Sequence, residues 1–116
     1  MTTEERATRA AQAYAAEIRL ARIAWDCGQY DAALECLERA HVLQQKNVLR
    51  HAYTHWLMLC VGVARRDWRE VAGQVPRIAA ALVFSCIWVP RGNSGRARVS
   101  AMAPMRVPSD LQDLVA

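Results

Sequence analysis

The chain turns between two predicted helices at Gly28-Gln29-Tyr30-Asp31-Ala32-Ala33-Leu34. Gly28 suits the left-handed position that follows a helix, so the preceding helix is expected to end here. Asp31 is predicted to cap a second helix that runs to about Gln45. The inward face of this second helix repeats at helical spacing and consists of Leu34, Leu37, Ala40 and Leu43. The stretch therefore predicts an antiparallel pair of helices.

The first helix of this pair begins near the start of the chain. Thr2 and Glu5 have the spacing of a capping box and mark its N-terminus. Alanine fills 21 of the 116 positions, which favours helix throughout the chain. The apolar residues of the first helix follow helical spacing at Tyr14, Ile18, Ala21 and Trp25.

Two more helices are predicted further along the chain. Asn47 is expected to cap a third helix that ends near Arg65. Asp67 begins another capping-box spacing and opens a fourth helix, which is expected to reach about Trp88. Pro76 lies inside the fourth helix, where a missing backbone donor predicts a kink.

The turn and the second helix resemble the second half of a tetratricopeptide repeat. Small and apolar residues precede the turn, as in that motif, at Leu20, Ala21 and Ala24. A weak echo follows at an offset of 38 residues, which aligns Tyr30 with Trp68 and Leu37 with Val75. The resemblance implies two antiparallel helical hairpins in a tetratricopeptide-like four-helix arrangement.

The sequence changes character after residue 90. Residues 90–95 are turn-forming, Pro104 and Pro108 favour an extended chain, and Ser109 is predicted to cap a last short helical turn. The tail also carries apolar residues that are expected to pack on the helices: Val99, Met102, Met105, Val107 and Leu111. We therefore predict one all-α domain, with a helical part at 1–90 and a loop and extended tail at 91–116 packed against it.

Length and charge limit the classes of function. A chain of 116 residues and 13.0 kDa excludes a doubly wound cofactor fold. The formal charge of +4 is uneven, because residues 65–106 carry eight arginines and only Asp67 and Glu70 as acids. This basic half suits an acidic protein partner. Nucleic acid is not expected, because no reading motif or series of stacking aromatics accompanies the charge.

Cysteine usage and hydropathy predict a cytoplasmic protein. The first five residues are polar and acidic, unlike a signal peptide. The apolar runs at 56–64 and 78–89 are shorter than the roughly 18–20 residues of a membrane span, so no membrane association is expected. No Cys-x-x-Cys pair occurs, and free, mostly buried thiols are expected at Cys27, Cys36, Cys60 and Cys86.

All three histidines fall within fifteen residues. His51 and His55 are one helical turn apart, so both imidazoles leave the same face at a spacing that chelates transition metals. His41 lies on the preceding helix. Glu38 stands three residues before it, and this Glu-x-x-His pair is used in carboxylate-bridged di-iron bundles. These residues predict a metal site shared by the two hairpins.

Glu17 completes the predicted ligand set. It lies on an apolar helix face, where an ionised carboxylate needs a cation, a hydrogen-bond donor or a shifted pKa. The 38-residue offset aligns Glu17 with His55, so stacked hairpins are expected to bring the two together. The predicted ligands are His51, His55, His41, Glu17 and Glu38. Mixed nitrogen and oxygen ligands favour a divalent ion such as zinc or iron.

Two other interpretations of this cluster stay open. In one, the histidines form a structural polar cluster with Glu17 or Tyr53, and the protein is a tetratricopeptide-like adaptor for a protein partner or a second copy of itself. In the other, a redox metal makes the protein an enzyme. Hydrolytic activity is not expected, because no nucleophile lies beside a base and an orienting group.

Two glycine-containing segments also allow a ligand contact. Gly73-Gln74 is interpreted as a close helix crossing, because a small residue permits one. Residues 92–95, Gly-Asn-Ser-Gly, lack the lysine of a phosphate-binding loop and are interpreted as an ordinary turn.

Taken together, these motifs resemble a small family of uncharacterised proteobacterial proteins. The resemblance rests on His51-Ala52-x-x-His55-Trp56-x-Met58-Leu59, Gly73-Gln74, Pro90-x-Gly92-Asn93-Ser94-Gly95 and Val107-Pro108-x-x-Leu111. The family has no established activity. Its genes often accompany heavy-metal resistance genes, and the resemblance therefore implies a role in metal homeostasis or resistance. In the family pattern a Gly-Asn-Thr-Gly turn precedes Gly-Ala-Asn. This chain has Ser94 in the turn and Arg-Ala-Arg at 96–98, so no anion role for the turn is implied.

Overall fold

The computed structural model describes residues 1–84 and 89–115, and within them it contains only helices, turns and extended segments. The helices are α1 (Thr3–Asp26), α2 (Tyr30–Gln44), α3 (Val48–Ala64), α4 (Trp68–Phe84) and a 3₁₀ helix (Ser109–Leu114). α1 pairs with α2 and α3 pairs with α4, and α2 packs against α3 between the pairs. The predicted all-α fold of two helical hairpins is confirmed.

The first hairpin turns through a Schellman motif at Gly28. Its φ of +71° is left-handed, as predicted from the sequence. The Gly28 N–H donates to the carbonyl of Trp25 at 2.9 Å, and the Gln29 N–H donates to that of Ala24 at 2.8 Å. These bonds satisfy carbonyls that α1 leaves open at its C-terminus.

The second hairpin repeats this turn 38 residues later with an arginine in place of glycine. Arg66 has a φ of +56°, and its N–H donates to the carbonyl of Val63 at 3.0 Å. The Asp67 N–H donates to the carbonyl of Gly62 at 2.9 Å. Both helix ends, at residues 26 and 64, and both following helix starts, at 30 and 68, keep the predicted offset.

Three of the predicted helix caps are present as expected. The Glu5 N–H donates to Thr2 Oγ1 at 3.1 Å, and the Thr2 N–H donates to Glu5 Oε2 at 2.7 Å, which completes the capping box of α1. At α3, Asn47 Oδ1 accepts from the Arg50 N–H at 3.0 Å. At α4, Asp67 Oδ1 accepts from the Glu70 N–H at 3.2 Å. Local spacing was therefore sufficient to locate these three helix starts.

Other details of the helix ends differ from the prediction. Asp31 does not cap α2, because Gln29 holds the N-cap position without a side-chain bond and Asp31 instead forms an ion pair with Arg65 at 3.1 Å. Pro108, not Ser109, is the N-cap of the 3₁₀ helix. The predicted end of α4 near residue 88 lies outside the described residues.

The core lies between α1 and α2 and extends to α3. Every predicted inward residue of α2 is buried, as are those of α1 except Trp25, which is 38% exposed. The tail packs against this core through Val107 and Leu111, whereas Met102 and Met105 are exposed. The tail therefore contacts the helices, as predicted, but only two of the five predicted residues are buried, and Leu114 and Val115 pack against the core beside them.

Three of the eight arginines of residues 65–106, namely Arg65, Arg96 and Arg98, form ion pairs within the described part of the fold. Arg98 lies 3.4 Å from Asp67, and Arg96 pairs with both Glu38 and Glu70. Contacts of this kind reduce the basic surface that the composition suggests.

The three thiols that the structure describes are free but not buried. Cys27 is exposed, and Cys36 and Cys60 are half-buried, so the expectation of mostly buried thiols is wrong for these three. Cys86 lies outside the described residues. Among the helices that are described, none combines the length and the apolar character needed to cross a membrane.

Candidate metal centre

Three buried histidines converge at the junction of the two hairpins. His41 comes from the last turns of α2, and His51 and His55 come from the first two turns of α3. The Nε2 atom of His41 lies 3.0 Å from that of His51 and 3.1 Å from that of His55, and the latter two are 3.1 Å apart. We call these residues the histidine cluster.

The local sequence explains why the side chains meet. Only three residues, 45–47, separate α2 from α3, so the first turn of α3 returns beside the last turn of α2. Asn47 starts α3 at its N-cap, and the four-residue spacing then directs both α3 histidines to the same face.

Hydrogen bonds to the outer ring nitrogens orient two of the three imidazoles. The Nδ1–H of His41 donates to the carbonyl of Asn93 at 2.7 Å, and that of His55 donates to Gln74 Oε1 at 2.6 Å. The Gln74 amide is itself oriented, because its Nε2 donates to the carbonyl of Gly95 at 2.9 Å. With the proton on Nδ1, the Nε2 atoms of His41 and His55 present lone pairs to the centre of the cluster.

The third histidine is less constrained. His51 Nδ1 is buried and makes no hydrogen bond of ordinary geometry, although the nearby backbone of Gln45 acts to raise the pKa of this imidazole. A single proton on His51 Nε2 can be donated to only one of the two facing nitrogens. At least one lone pair in the cluster is then left without a donor from these residues.

Burial keeps the histidine cluster uncharged at neutral pH. It lowers the pKa of His51 to about 4. The pKa of His55 falls to about 3 through burial and then through repulsion from His51. The pKa of His41 lies well below 6.5 because of burial, followed by repulsion from the other two. Neutral imidazole is the form that binds metals.

A loop after α4 closes over the cluster. Asn93 is buried, and its Nδ2 donates to the carbonyls of Ser100 and Ala103, both at 2.7 Å. Its Oδ1 accepts from the Gly95 N–H at 2.9 Å. Gly95 has a φ of +81°, and a Cβ atom there would lie 2.7 Å from the ring of His41. Glycine is therefore required both for the backbone turn and for the approach of the imidazole.

A buried ion pair supports this loop from α4. Glu70 is fully buried, pairs with Arg96 Nε and accepts from the Ala97 N–H at 2.9 Å. Arg96 Nη1 also donates to Glu38 Oε1 at 2.9 Å, which ties the loop to α2. A buried carboxylate needs compensation of this kind.

The structure brings together the histidine part of the predicted ligand set but not the carboxylates. Among the described residues, the group spaced to hold a metal ion consists of His41, His51 and His55, whose candidate ligand atoms lie within 4.8 Å of one another. Glu38 is paired with Arg96, and Glu17 is paired with Arg39 at 2.8 Å.

The position of Glu17 has a physical reason. Its carboxylate required a cation, and Arg39 on α2 provides one from the facing helix. Arg39 also pairs with Asp110 of the tail, and these two acids hold the pKa of the guanidinium above its usual range. The sequence indicated that Glu17 needs a cation, but it did not indicate that Arg39 provides the charge.

Sequence reasoning missed the residues that orient the histidines. Gln74 and Asn93 lie in the two segments interpreted as a helix crossing and an ordinary turn, and both contact the histidine cluster. Gly73 does permit a close approach, but of Ala97 in the loop, which a Cβ atom would meet at 2.3 Å. Each segment contains a glycine followed by an amide residue, Gly73-Gln74 and Gly92-Asn93. That pattern alone does not show which side chain the amide residue contacts in the folded chain.

The geometry suits a metal ion. In tetrahedral zinc sites the Zn–N distances are about 2.0–2.1 Å, which separates the nitrogens by about 3.3 Å. The Nε2 atoms of the cluster are slightly closer, at 3.0–3.1 Å. Metal-binding histidines usually donate their other N–H to a carbonyl or carboxylate, as His41 and His55 do here.

Comparison with known proteins supports the resemblance found in the sequence. The chain matches no curated protein and no solved structure. Residues 8–115 match a family described as protein of unknown function, DUF3703. That span contains the whole histidine cluster and the loop that closes over it. The chain therefore belongs to the DUF3703 family.

Proposed function

We propose that this protein binds one divalent transition-metal ion through the Nε2 atoms of His41, His51 and His55. The observation that carries the proposal is the convergence of these three atoms at 3.0–3.1 Å. At the centre of the cluster, the Nε2 atoms of three neutral imidazoles offer more lone pairs than N–H donors. A metal ion would accept the lone pairs of all three Nε2 atoms at once.

The surroundings favour binding energetically. The outer bonds to Asn93 and Gln74 already orient two rings, so little rotamer freedom is lost when an ion binds. The low pKa values of His51 and His55 mean that protons do not compete with the ion at pH 7.

Zinc is the first candidate among divalent ions. Imidazole suits zinc, copper, iron and nickel, whereas many non-haem iron sites add a carboxylate. The nearest predicted carboxylates, Glu17 and Glu38, are occupied by arginines. Three histidine ligands leave at least one coordination position for another group. The biological role we propose, metal homeostasis or resistance, rests on this site and on the family resemblance.

Zinc titration by competition with a chromophoric chelator tests this function. The wild type is expected to bind one equivalent, and His51→Ala/His55→Ala is expected to lose at least a hundredfold in affinity with helicity retained. Glu17→Gln/Glu38→Gln is the matched control, and its zinc affinity is expected to equal that of the wild type. Equal affinities of the wild type and the histidine variant would overturn the proposal.

A second function is suggested by an exposed apolar stripe on α4. The stripe consists of Trp68, Ala72, Val75, Ala79 and Leu82, which recur every three or four residues and are all exposed. Such spacing is typical of a helix that packs against a partner helix. We propose that the α4 stripe joins two copies of the chain.

Sedimentation velocity tests this dimer. The wild type is expected to sediment as a dimer at micromolar concentration, and Val75→Glu/Leu82→Glu as a monomer with unchanged helicity. Ile23→Glu is the control, because Ile23 is 60% exposed on α1 and lies outside the stripe. A wild type that stays monomeric at high concentration contradicts the proposal.

A further inference from the structure

The histidine cluster opens onto a cavity of about 420 Å³. This volume lies in the range of small-molecule sites. Its walls are mostly apolar and include Ala80, Phe84, Val89, Pro90, Ala101 and Met102. Phe84 and Met102 are 59% and 66% exposed, so they mark the side of the cavity nearest to solvent. The metal site proposed above therefore has room beside it for an organic molecule.

The cavity has positive charge available and no described carboxylate in its walls. Arg77 lines it, and within the described part of the chain its guanidinium forms no ion pair. Its Nη1 and Nη2 donate to the carbonyls of Gly73 and Val99, both at 2.8 Å, while its buried Nε has no partner. A divalent ion on three neutral histidines would add two more positive charges that the described walls do not neutralise.

A second unpartnered polar group also lines the cavity. Gln45 is 3% exposed, and none of the described residues donates a hydrogen bond to its Oε1. Buried acceptors of this kind are rare in proteins and usually signal a missing partner. A water in the cavity would supply the donor.

We propose that this cavity binds a small carboxylic acid with an apolar chain, whose carboxylate occupies the open position of the metal ion. The inference rests on the proposed metal site and names the ligand that completes it. The carboxylate offsets one of the positive charges that the ion and Arg77 bring to the cavity, and the chain lies against the apolar wall. An inorganic anion would satisfy the charge but would leave that wall exposed to water, which the hydrophobic effect disfavours.

Cobalt-loaded protein tests the proposal, because the visible bands of Co²⁺ report its coordination. The full chain is first titrated with Co²⁺, and the loaded protein is then titrated with sodium hexanoate, sodium acetate or hexanamide. Hexanoate is expected to change the visible spectrum and to bind at least tenfold more tightly than acetate, since its longer chain buries more apolar surface. Hexanamide, which has the chain without the charge, is expected to leave the spectrum unchanged.

Variants separate the two parts of the site. Arg77→Gln is expected to weaken hexanoate binding about tenfold with Co²⁺ affinity no lower than that of the wild type, because the charge of Arg77 opposes a cation at His41 and His55. Arg77→Lys is expected to keep most of the hexanoate affinity because it keeps the charge. Ala80→Phe, which narrows the cavity at an exposed position, is expected to weaken hexanoate but not acetate.

The outcomes of the two proposals are distinguishable. If Co²⁺ binds but hexanoate causes no spectral change, or binds no better than acetate or hexanamide, the ligand proposal is overturned and the metal site stands. If Co²⁺ does not bind in the first titration, both proposals fail.

Discussion

At the scale of single residues, metal binding is expected to depend on the hydrogen bonds at Nδ1 of His41 and His55 as well as on the ligand atoms themselves. Asn93 and Gln74 hold the Nδ1 protons of His41 and His55, so the Nε2 lone pairs face inward. Gly95 provides both the carbonyl that orients Gln74 and the space for the His41 ring. Changes to these supporting residues should therefore alter metal affinity without removing a ligand.

Gln74→Met tests this role, because methionine keeps much of the volume but cannot accept the His55 proton. The expected result is a loss of about 10–100-fold in zinc affinity with the three ligands intact. The measurement is chelator competition beside Gln112→Met, because Gln112 is exposed, donates to the carbonyl of Val107 at 3.3 Å and does not line the cavity at the histidine cluster. Unchanged affinity in Gln74→Met would show that the outer bond is irrelevant.

Gly95→Ala is expected to disturb the site through the ring of His41. The new Cβ would lie 2.7–2.9 Å from ring atoms, and the left-handed φ adds backbone strain of about 1–2 kcal/mol. We expect both a lower denaturation midpoint and weaker zinc binding.

Gly28→Ala is the matched control for this change. Its φ is equally left-handed at +71°, but no atom lies within 4 Å of the added Cβ. It should lose similar backbone stability, by chemical denaturation, while zinc affinity stays at the wild-type value. A Gly95→Ala protein that also binds zinc normally would contradict the contact with His41.

At the scale of the elements, the two hairpins are closed by the same turn made from different residues. Gly28 adopts the left-handed conformation without strain, whereas Arg66 at φ +56° adopts it at a cost. The repeat therefore conserves backbone geometry rather than residue type at this position.

Arg66→Gly is expected to stabilise the protein by about 0.5–1 kcal/mol, since relief of backbone strain exceeds the entropy lost by glycine. Urea denaturation measures the change. Arg69→Gly, at the second residue of α4, is the control and should destabilise the protein because its position is helical. A lower midpoint for Arg66→Gly would contradict the strain assigned to the turn.

At the scale of the whole molecule, the cluster links stability to pH. The folded-state pKa values of the three histidines lie below 6.5, so the unfolded chain takes up protons first as the pH falls. Stability of the metal-free protein is therefore full above about pH 6.5 and declines towards pH 4 and 3, with each histidine contributing about 1.4 kcal/mol for every unit by which its pKa is lowered.

Urea midpoints measured between pH 7.5 and pH 4 test this expectation. His51→Ala/His55→Ala should show a smaller decline over this range than the wild type. The carboxyls of Asp67 and Asp110, whose pKa values are lowered by a backbone hydrogen bond and by Arg39 respectively, act below this window. A pH dependence identical in both proteins would mean that the histidines are not responsible.

The scale of an interaction also decides how much of it could be predicted from the sequence. Helix starts at Thr2 and Asn47 and the turn at Gly28 depend on neighbouring residues, and those predictions are confirmed. The histidine cluster was predicted because it spans two adjacent helices. The prediction of Glu17 and Glu38 as ligands could not take their arginine partners into account. Those partners lie 22 and 58 residues away, where sequence spacing carries no information.

Anomalous diffraction at the zinc edge, from crystals of the zinc-loaded protein, tests the central claim most directly. One anomalous peak is predicted about 2.0–2.1 Å from the Nε2 atoms of His41, His51 and His55, with Glu17 and Glu38 still paired to arginines. A peak at surface residues only, with the three Nε2 atoms uncoordinated, would contradict the account.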